Sequence, residues 1–170
     1  MNIIANYTTE VAAEKSAFEI QTMLRNHGAA AVSIRYGSDK NPSGLAFLIN
    51  TRLGAVPVPF ELPANVAAVE KLLLNLRTKK PETWHSDYKQ VMQRVHDQAA
   101  RVAWRILRDW VRAQLAIIET EMVTLDQVFL PYLRDNHGNT VYEIFTAGHL
   151  ALTPGTGEVD GEFREMRENE

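Results

Sequence analysis

Arg94, Arg101, Arg105, Arg108 and Arg112 recur at spacings of 7, 4, 3 and 4 residues. In a helix that turns ~100° per residue, all five guanidinium groups fall within about 60° of one another. Each is a permanent cation with a planar fork of donors, so the row suits phosphates or carboxylates met in series. The chemistry this offers is binding: a track that neutralises a nucleic-acid backbone while other residues meet the bases. Trp84 and Tyr88 lie just upstream, Lys79, Lys80 and Lys89 enlarge the positive region, and Arg35 and Arg52 add to it from strand-like runs. Aromatic rings beside cations are the ingredients of a single-strand platform. The plainer alternative is a solvated helix face, with Asp97, Asp109 and Glu119 close enough in sequence to pair with the row. A face that only has to be soluble has no need to prefer arginine to lysine at five positions, which tilts the reading towards binding.

No catalytic pattern matches this one. His27, His85, His96, His137 and His149 show no two-histidine helical spacing and no HExxH pattern, so each reads as a surface or capping residue and no metal is expected. No serine sits in a GxSxG turn. Gly37 to Gly44 has glycines at its ends but lacks the order of a phosphate-binding loop, and reads as a hairpin connection. Glu119, Glu121 and Asp126 are an acidic group without the further carboxylates and lysine that a metal-dependent nuclease needs. Trp104 lies next to the edge of the arginine row and Trp110 almost opposite it; both read as core, with Trp104 the one that could reach a ligand.

The 170 residues suit one domain over 1–152, with a sheet part at 1–62, a helical part at 63–152 and an acidic, disordered tail at 153–170. A composition of 45% hydrophobic and 23% charged residues, with 7 prolines and 9 glycines, is that of a folded protein. Net charge is −3. Six acidic residues and two arginines follow Pro154, however, and leave the body slightly positive. The absence of cysteine excludes a disulfide framework and a thiol nucleophile and suits a reducing cytoplasm. No run approaches a membrane span, and the first ten residues lack a secretory pattern.

The elements that must position the arginines follow from periodicity. Ile3 to Tyr7 reads as a strand, and Thr8, Thr9 and Glu10 as the start of a helix over 11–26 that buries Ala13, Ala17, Ile20 and Leu24 and stops at Gly28. Ala31 to Tyr36, Gly44 to Asn50 and Ala55 to Phe60 read as three further strands. Pro57 and Pro59 put the last of them at a sheet edge. A second helix opens at Leu62 to Asn65 and runs to about Thr78, with Val66, Val69, Leu72, Leu73 and Leu76 on its apolar face, and a long one runs from Ser86 or Asp87 past Glu119. Its apolar residues cover most of the circumference opposite the arginines, which calls for the sheet on one side and a helix or second subunit on the other. Thr124 to Asp126 caps a short helix carrying Val128, Phe129 and Tyr132. The expected fold class is α+β: a small antiparallel sheet in β-α-β-β-β order, followed by helices that include one long amphipathic helix.

Phe60-Glu61-Leu62-Pro63-Ala64-Asn65-Val66, and the run from Gln98-Ala99-Ala100-Arg101-Val102-Ala103-Trp104-Arg105 to Gln127-Val128-Phe129-Leu130-Pro131-Tyr132, resemble a family of small bacteriophage and mobile-element proteins over most of residues 1–150. The resemblance carries no catalytic residue. It implies a setting in phage replication, recombination or counter-defence. The tail is similar to those of some single-stranded-DNA-binding proteins but ends in Arg167-Glu168-Asn169-Glu170, without a hydrophobic tip.

The sequence therefore predicts a non-enzymatic, cofactor-free, single-stranded nucleic-acid-binding protein, with DNA the expected strand, homodimeric and in the cytoplasm of the host cell. Its site is Arg94, Arg101, Arg105, Arg108, Arg112, Trp84, Tyr88, Lys89, Arg35 and Arg52. The rival is an interaction or counter-defence protein that grips a polypeptide with the same helix, where arginine is equally favoured.

Overall fold

The computed structural model describes residues 4–50, 56–76 and 88–148. In chain order it contains helix α1 (Ala13–Asn26), strands β1 (Ala29–Tyr36), β2 (Pro42–Ile49) and β3 (Val58–Pro63), helices α2 (Val66–Leu76), α3 (Tyr88–Glu119) and α4 (Leu125–Phe129), a 3-10 turn at Leu130–Tyr132 and helix α5 (Val141–Thr146). The α+β class, the antiparallel sheet and the long helix are as the sequence implies. The strand expected at Ile3 to Tyr7 is not formed: residues 5–8 are turn, with Asn6 at φ 59°, so the order begins α-β-β-β. Helix α1 also starts later than its cap-type residues suggest. Thr9 Oγ1 accepts from the Val11 amide at 3.3 Å, and the helix opens only after Ala12.

The sheet order is β1-β2-β3, antiparallel throughout. Its pairing explains the prolines. Gly37 donates to Asn41 to close the hairpin, so β1 bonds to β2 through Ala31, Ser33 and Arg35, and β2 in turn bonds to β3 through Leu45, Phe47 and Ile49. On β3 that leaves Pro59, Glu61 and Pro63 directed away from β2, so the two prolines in the strand stand where no ladder amide is missed. The Pro59 carbonyl is used from outside, by the Arg134 amide at 2.9 Å, and Phe60 forms a bridge with Leu133.

Leu45, Phe47, Phe60 and Leu62 turn to one sheet face and are buried with Ala13, Ala17, Ile20 and Leu24 of α1 and Ala100, Trp104, Val111 and Leu115 of α3. Phe47 stacks on Phe60 at 5.4 Å and meets Phe129 edge-on at 5.3 Å; Phe129 and Tyr132 in turn flank Trp110. A second cluster joins Val69 and Leu73 of α2 to Val95, Ala99, Val102 and Ala103 of α3. Most of α3's apolar face is thus consumed within the chain, by the sheet and α1 on one side and α2 on the other, while Ile117 near its end is exposed. Leu72, expected on the buried face of α2, is exposed instead. Asn65 caps α2, its Oδ1 accepting from the Ala68 amide at 3.0 Å.

Two buried polar groups contrast. Trp104 is fully buried, and its indole N–H donates to the Pro42 carbonyl at 2.7 Å. Ser16, also fully buried, has no hydrogen-bond partner for its hydroxyl among the described residues. Trp104→Phe should therefore lower unfolding free energy by roughly 2–4 kcal/mol, through an unsatisfied carbonyl and a void. Ser16→Ala should be neutral or stabilising, by up to about 1 kcal/mol. Urea denaturation of both variants checks the pair.

Candidate nucleic-acid interface

All five arginines lie on α3, on the flank that faces past α1 to solvent, but they are not equivalent. Glu19 of α1 reaches between two of them, at 2.8 Å from Arg108 Nε and 3.3 Å from Arg105 Nη1. Arg108 also meets Asp109 at 2.8 Å, and its side chain is only 17% exposed. The Asp109 and Glu19 contacts raise the Arg108 pKa further, against the opposing effect of burial. Arg105 and Arg108 are thus braces of the α1–α3 seam. Arg101 lends a donor to the Gln98 amide oxygen at 3.0 Å and forms no ion pair among the described residues. Arg94 and Arg112 are exposed, and neither is in an ion pair among the described residues. The row is split into two anchored arginines in the middle and three available ones around them.

The aromatic partners expected from sequence do not assemble beside it. Trp104 is sealed in the core and cannot stack on a ligand. Tyr88 and Lys89 are exposed at the start of α3 but project ~120–130° away from the row. Arg35 lies on the sheet face turned away from α3 and pairs with Glu61 at 2.9 Å. Trp84, Arg52, Lys79 and Lys80, and the tail from residue 153, lie outside the described residues.

In their place stands Tyr7. The N-terminal segment crosses α3, where Gln98 Nε2 donates to the Tyr7 and Thr9 carbonyls, at 3.0 Å each, and Asn6 donates to Asp109 at 3.0 Å. Tyr7 is 43% exposed and, with Leu73, Leu76, Arg94, Val95 and Gln98, lines a cleft of about 170 Å³. An exposed ring and an exposed guanidinium share one concavity at the head of the row. Sequence reasoning missed Tyr7 because it took the segment for a strand directed into the sheet.

Two further polar clusters were illegible for a different reason: their members come from separate elements. His96 of α3 is held between Asp39 of the β1–β2 loop, at 2.8 Å from Nε2, and Glu70 of α2, at 2.9 Å from Nδ1. Both ring nitrogens face carboxylates, so the imidazolium form is favoured. The bonds to Asp39 and then Glu70 raise the His96 pKa above its ordinary 6.5, and the same bond holds the Asp39 carboxyl down at about 2. In the second cluster Glu61 sits between Arg35 and Arg134. Arg134 Nε approaches Glu61 Oε2 to 2.8 Å, close enough for an ion pair though out of alignment for a hydrogen bond. This pair forms one wall of a cavity of about 490 Å³ that also involves Tyr132 and Tyr142.

No group of three or more histidines and carboxylates able to hold a metal occurs among the described residues. Glu119, from the acidic group at the end of α3, is occupied by His27 Nε2 at 2.8 Å. No described helix is long and apolar enough to cross a membrane. No family model, curated protein or solved structure matches the chain.

The His96 clamp has a pH signature. A histidine whose folded pKa is raised contributes stability that is fully present below about pH 6.5 and is lost as pH rises through the folded value; Asp39, held down, contributes above about pH 4 and loses it as pH falls towards 2. The clamp is strongest between those limits. The thermal midpoint of the wild type should exceed that of His96→Gln most at pH 5–6, and the gap should narrow by pH 9. His27, common to both proteins, cancels from the difference.

Proposed function

We propose that this is a non-enzymatic, single-stranded nucleic-acid-binding protein whose contact surface is Tyr7, Arg94, Arg101 and Arg112. The observation that carries the reading is the shared cleft, in which an exposed tyrosine lies with Arg94, which is in no ion pair among the described residues, and Arg101 follows two turns along the same helix face. Arg94 to Arg112 spans ~27 Å of helix axis, enough to follow several nucleotides of backbone. Stacking on Tyr7 tolerates any base, and phosphate contacts read none, so binding is expected without strong sequence preference. Phage replication or recombination is the setting that the sequence resemblance suggests.

A second reading, capture of a polypeptide, has its own observation. Tyr142 is 62% exposed, and Leu130 and Phe145 are also exposed, near the cavity that Glu61, Arg134 and Tyr132 help to line. This patch lies away from the arginine row, so the two readings can be separated by mutation.

Anisotropy of a labelled single strand of about 30 nucleotides, titrated at several salt concentrations, tests the first reading. Three available arginines predict a slope of log K against log salt near −2, at about −0.7 per contact. Glu19→Gln frees Arg105, while Arg108 keeps its pair with Asp109, and should steepen the slope towards about −2.8, with tighter binding at low salt. Tyr7→Ala should weaken binding roughly tenfold with little change in slope. Absence of binding at low salt, or a Glu19→Gln variant that is folded yet binds no better, would overturn the proposal.

A further inference from the structure

The two edges of the sheet are treated differently. The outer edge of β3 carries Pro59 and Pro63 and is covered by residues 133–134. The outer edge of β1, eight residues of sequence Ala-Ala-Ala-Val-Ser-Ile-Arg-Tyr, has neither proline nor lysine and no strand beside it among the described residues. Val32 and Ile34 direct their backbone groups outward there. Among the described residues the side-chain bond to them is from Gln21 Nε2 of α1 to the Val32 carbonyl, at 3.1 Å. An edge left this way is a template for another strand.

The helix above that edge indicates which strand. The Gln21 bond places one side of α1 over the β1 edge, and Glu14, Phe18, Gln21 and Arg25 follow one another on that side at spacings of 4, 3 and 4. They fall within ~60° on the helical wheel. Phe18 is 65% exposed, and neither Glu14 nor Arg25 is in an ion pair among the described residues. The order acid, aromatic, amide, base is complementary to its own reverse. When two such helices run antiparallel about an axis midway between Phe18 and Gln21, each Glu14 meets the other copy's Arg25 and the two Phe18 rings meet near the centre.

The strands share that axis. The midpoint lies 1.5 residues from Gln21, ~2.3 Å along α1. Because α1 and β1 run in opposite directions, this corresponds to less than one residue along β1 from Val32, at ~3.4 Å per residue, and so to Ser33. A two-fold through Ser33 pairs Val32 with Ile34 of the second copy, joining the outward backbone groups of both.

We propose that the chain forms a homodimer through the free edge of β1, giving a continuous six-stranded antiparallel sheet with the two α1 helices packed across the axis. Such an interface is isologous, as closed two-fold symmetry requires. It uses none of Tyr7, Arg94, Arg101 or Arg112, and so stands apart from the nucleic-acid reading. The pairing displaces the Gln21 amide from Val32, whose carbonyl then accepts from the second copy's strand.

Light scattering and sedimentation velocity on the full chain should give twice the chain mass. Phe18→Glu, at an exposed position, should weaken self-association roughly tenfold or more while leaving the circular dichroism spectrum unchanged. Glu14→Arg should also weaken it by placing arginines against each other, and the double variant Glu14→Arg, Arg25→Glu should restore it. The Ile34 amide should be protected from hydrogen exchange in the wild type and lose protection in Phe18→Glu. A wild-type monomer would overturn the proposal, as would a dimer indifferent to Phe18→Glu and Glu14→Arg, which would place the interface elsewhere.

Discussion

The fold depends on how the hairpin is fastened to α3. Trp104 reaches across the core to the Pro42 carbonyl, a residue that begins β2 and has no amide of its own, and His96, two turns earlier, holds Asp39 at the hairpin's tip. One helix therefore fixes both the start of the central strand and the loop before it. With β2 placed, Phe47 is presented to Phe60 and Phe129, and the aromatic series continues through Trp110 to Tyr132. Burial of that series, together with the aliphatic side chains of α1 and the sheet, forms the larger core. The hydrogen bond and the clamp set its register.

The same arrangement accounts for a 32-residue helix in so small a chain. A helix of that length is normally stabilised along one stripe. Here separate clusters occupy separate arcs through the middle of the helix, and the arc that bears the arginines faces solvent, as do Tyr88 and Ile117 near the two ends. Glu19 meets that arc at its middle, which divides a charge row that looks uniform in sequence. The division matters more to function than the number of arginines does.

Much of the fold was legible because periodicity is local. Ala13, Ala17, Ile20 and Leu24 are buried as their spacing implies, Asn65 caps the helix it precedes, and the proline-bearing strand is an edge. The failures arose where a local signal had a tertiary competitor. Ile3 to Tyr7 has strand-like residues, but Gln98 binds the Tyr7 and Thr9 carbonyls and holds the segment as a turn across α3. Site legibility was lower still. The arginine row was visible, since one helix carries it, but its neutralisation by Glu19 was not, because 86 and 89 residues separate the partners. Asp39, Glu70 and His96 likewise come from a loop and two helices, and no spacing rule connects them.

The attachment of α2 has a consequence for how the molecule opens. Its buried cluster draws on α3 alone for partners, with Ile4 and a few half-buried side chains alongside, whereas the sheet, α1 and the aromatic series form a separate, larger core. Release of α2 uncovers the smaller cluster and withdraws only Val66 from the larger core, so it is a sub-global opening whose free energy lies below that of complete unfolding. Leu73 and Leu76 of α2 are also one wall of the cleft that holds Tyr7 and Arg94. Any ligand gripped in that cleft must therefore favour the docked helix by its own binding free energy, and a loosened α2 must release the ligand. Occupancy of the cleft and order in α2 are two readouts of a single equilibrium.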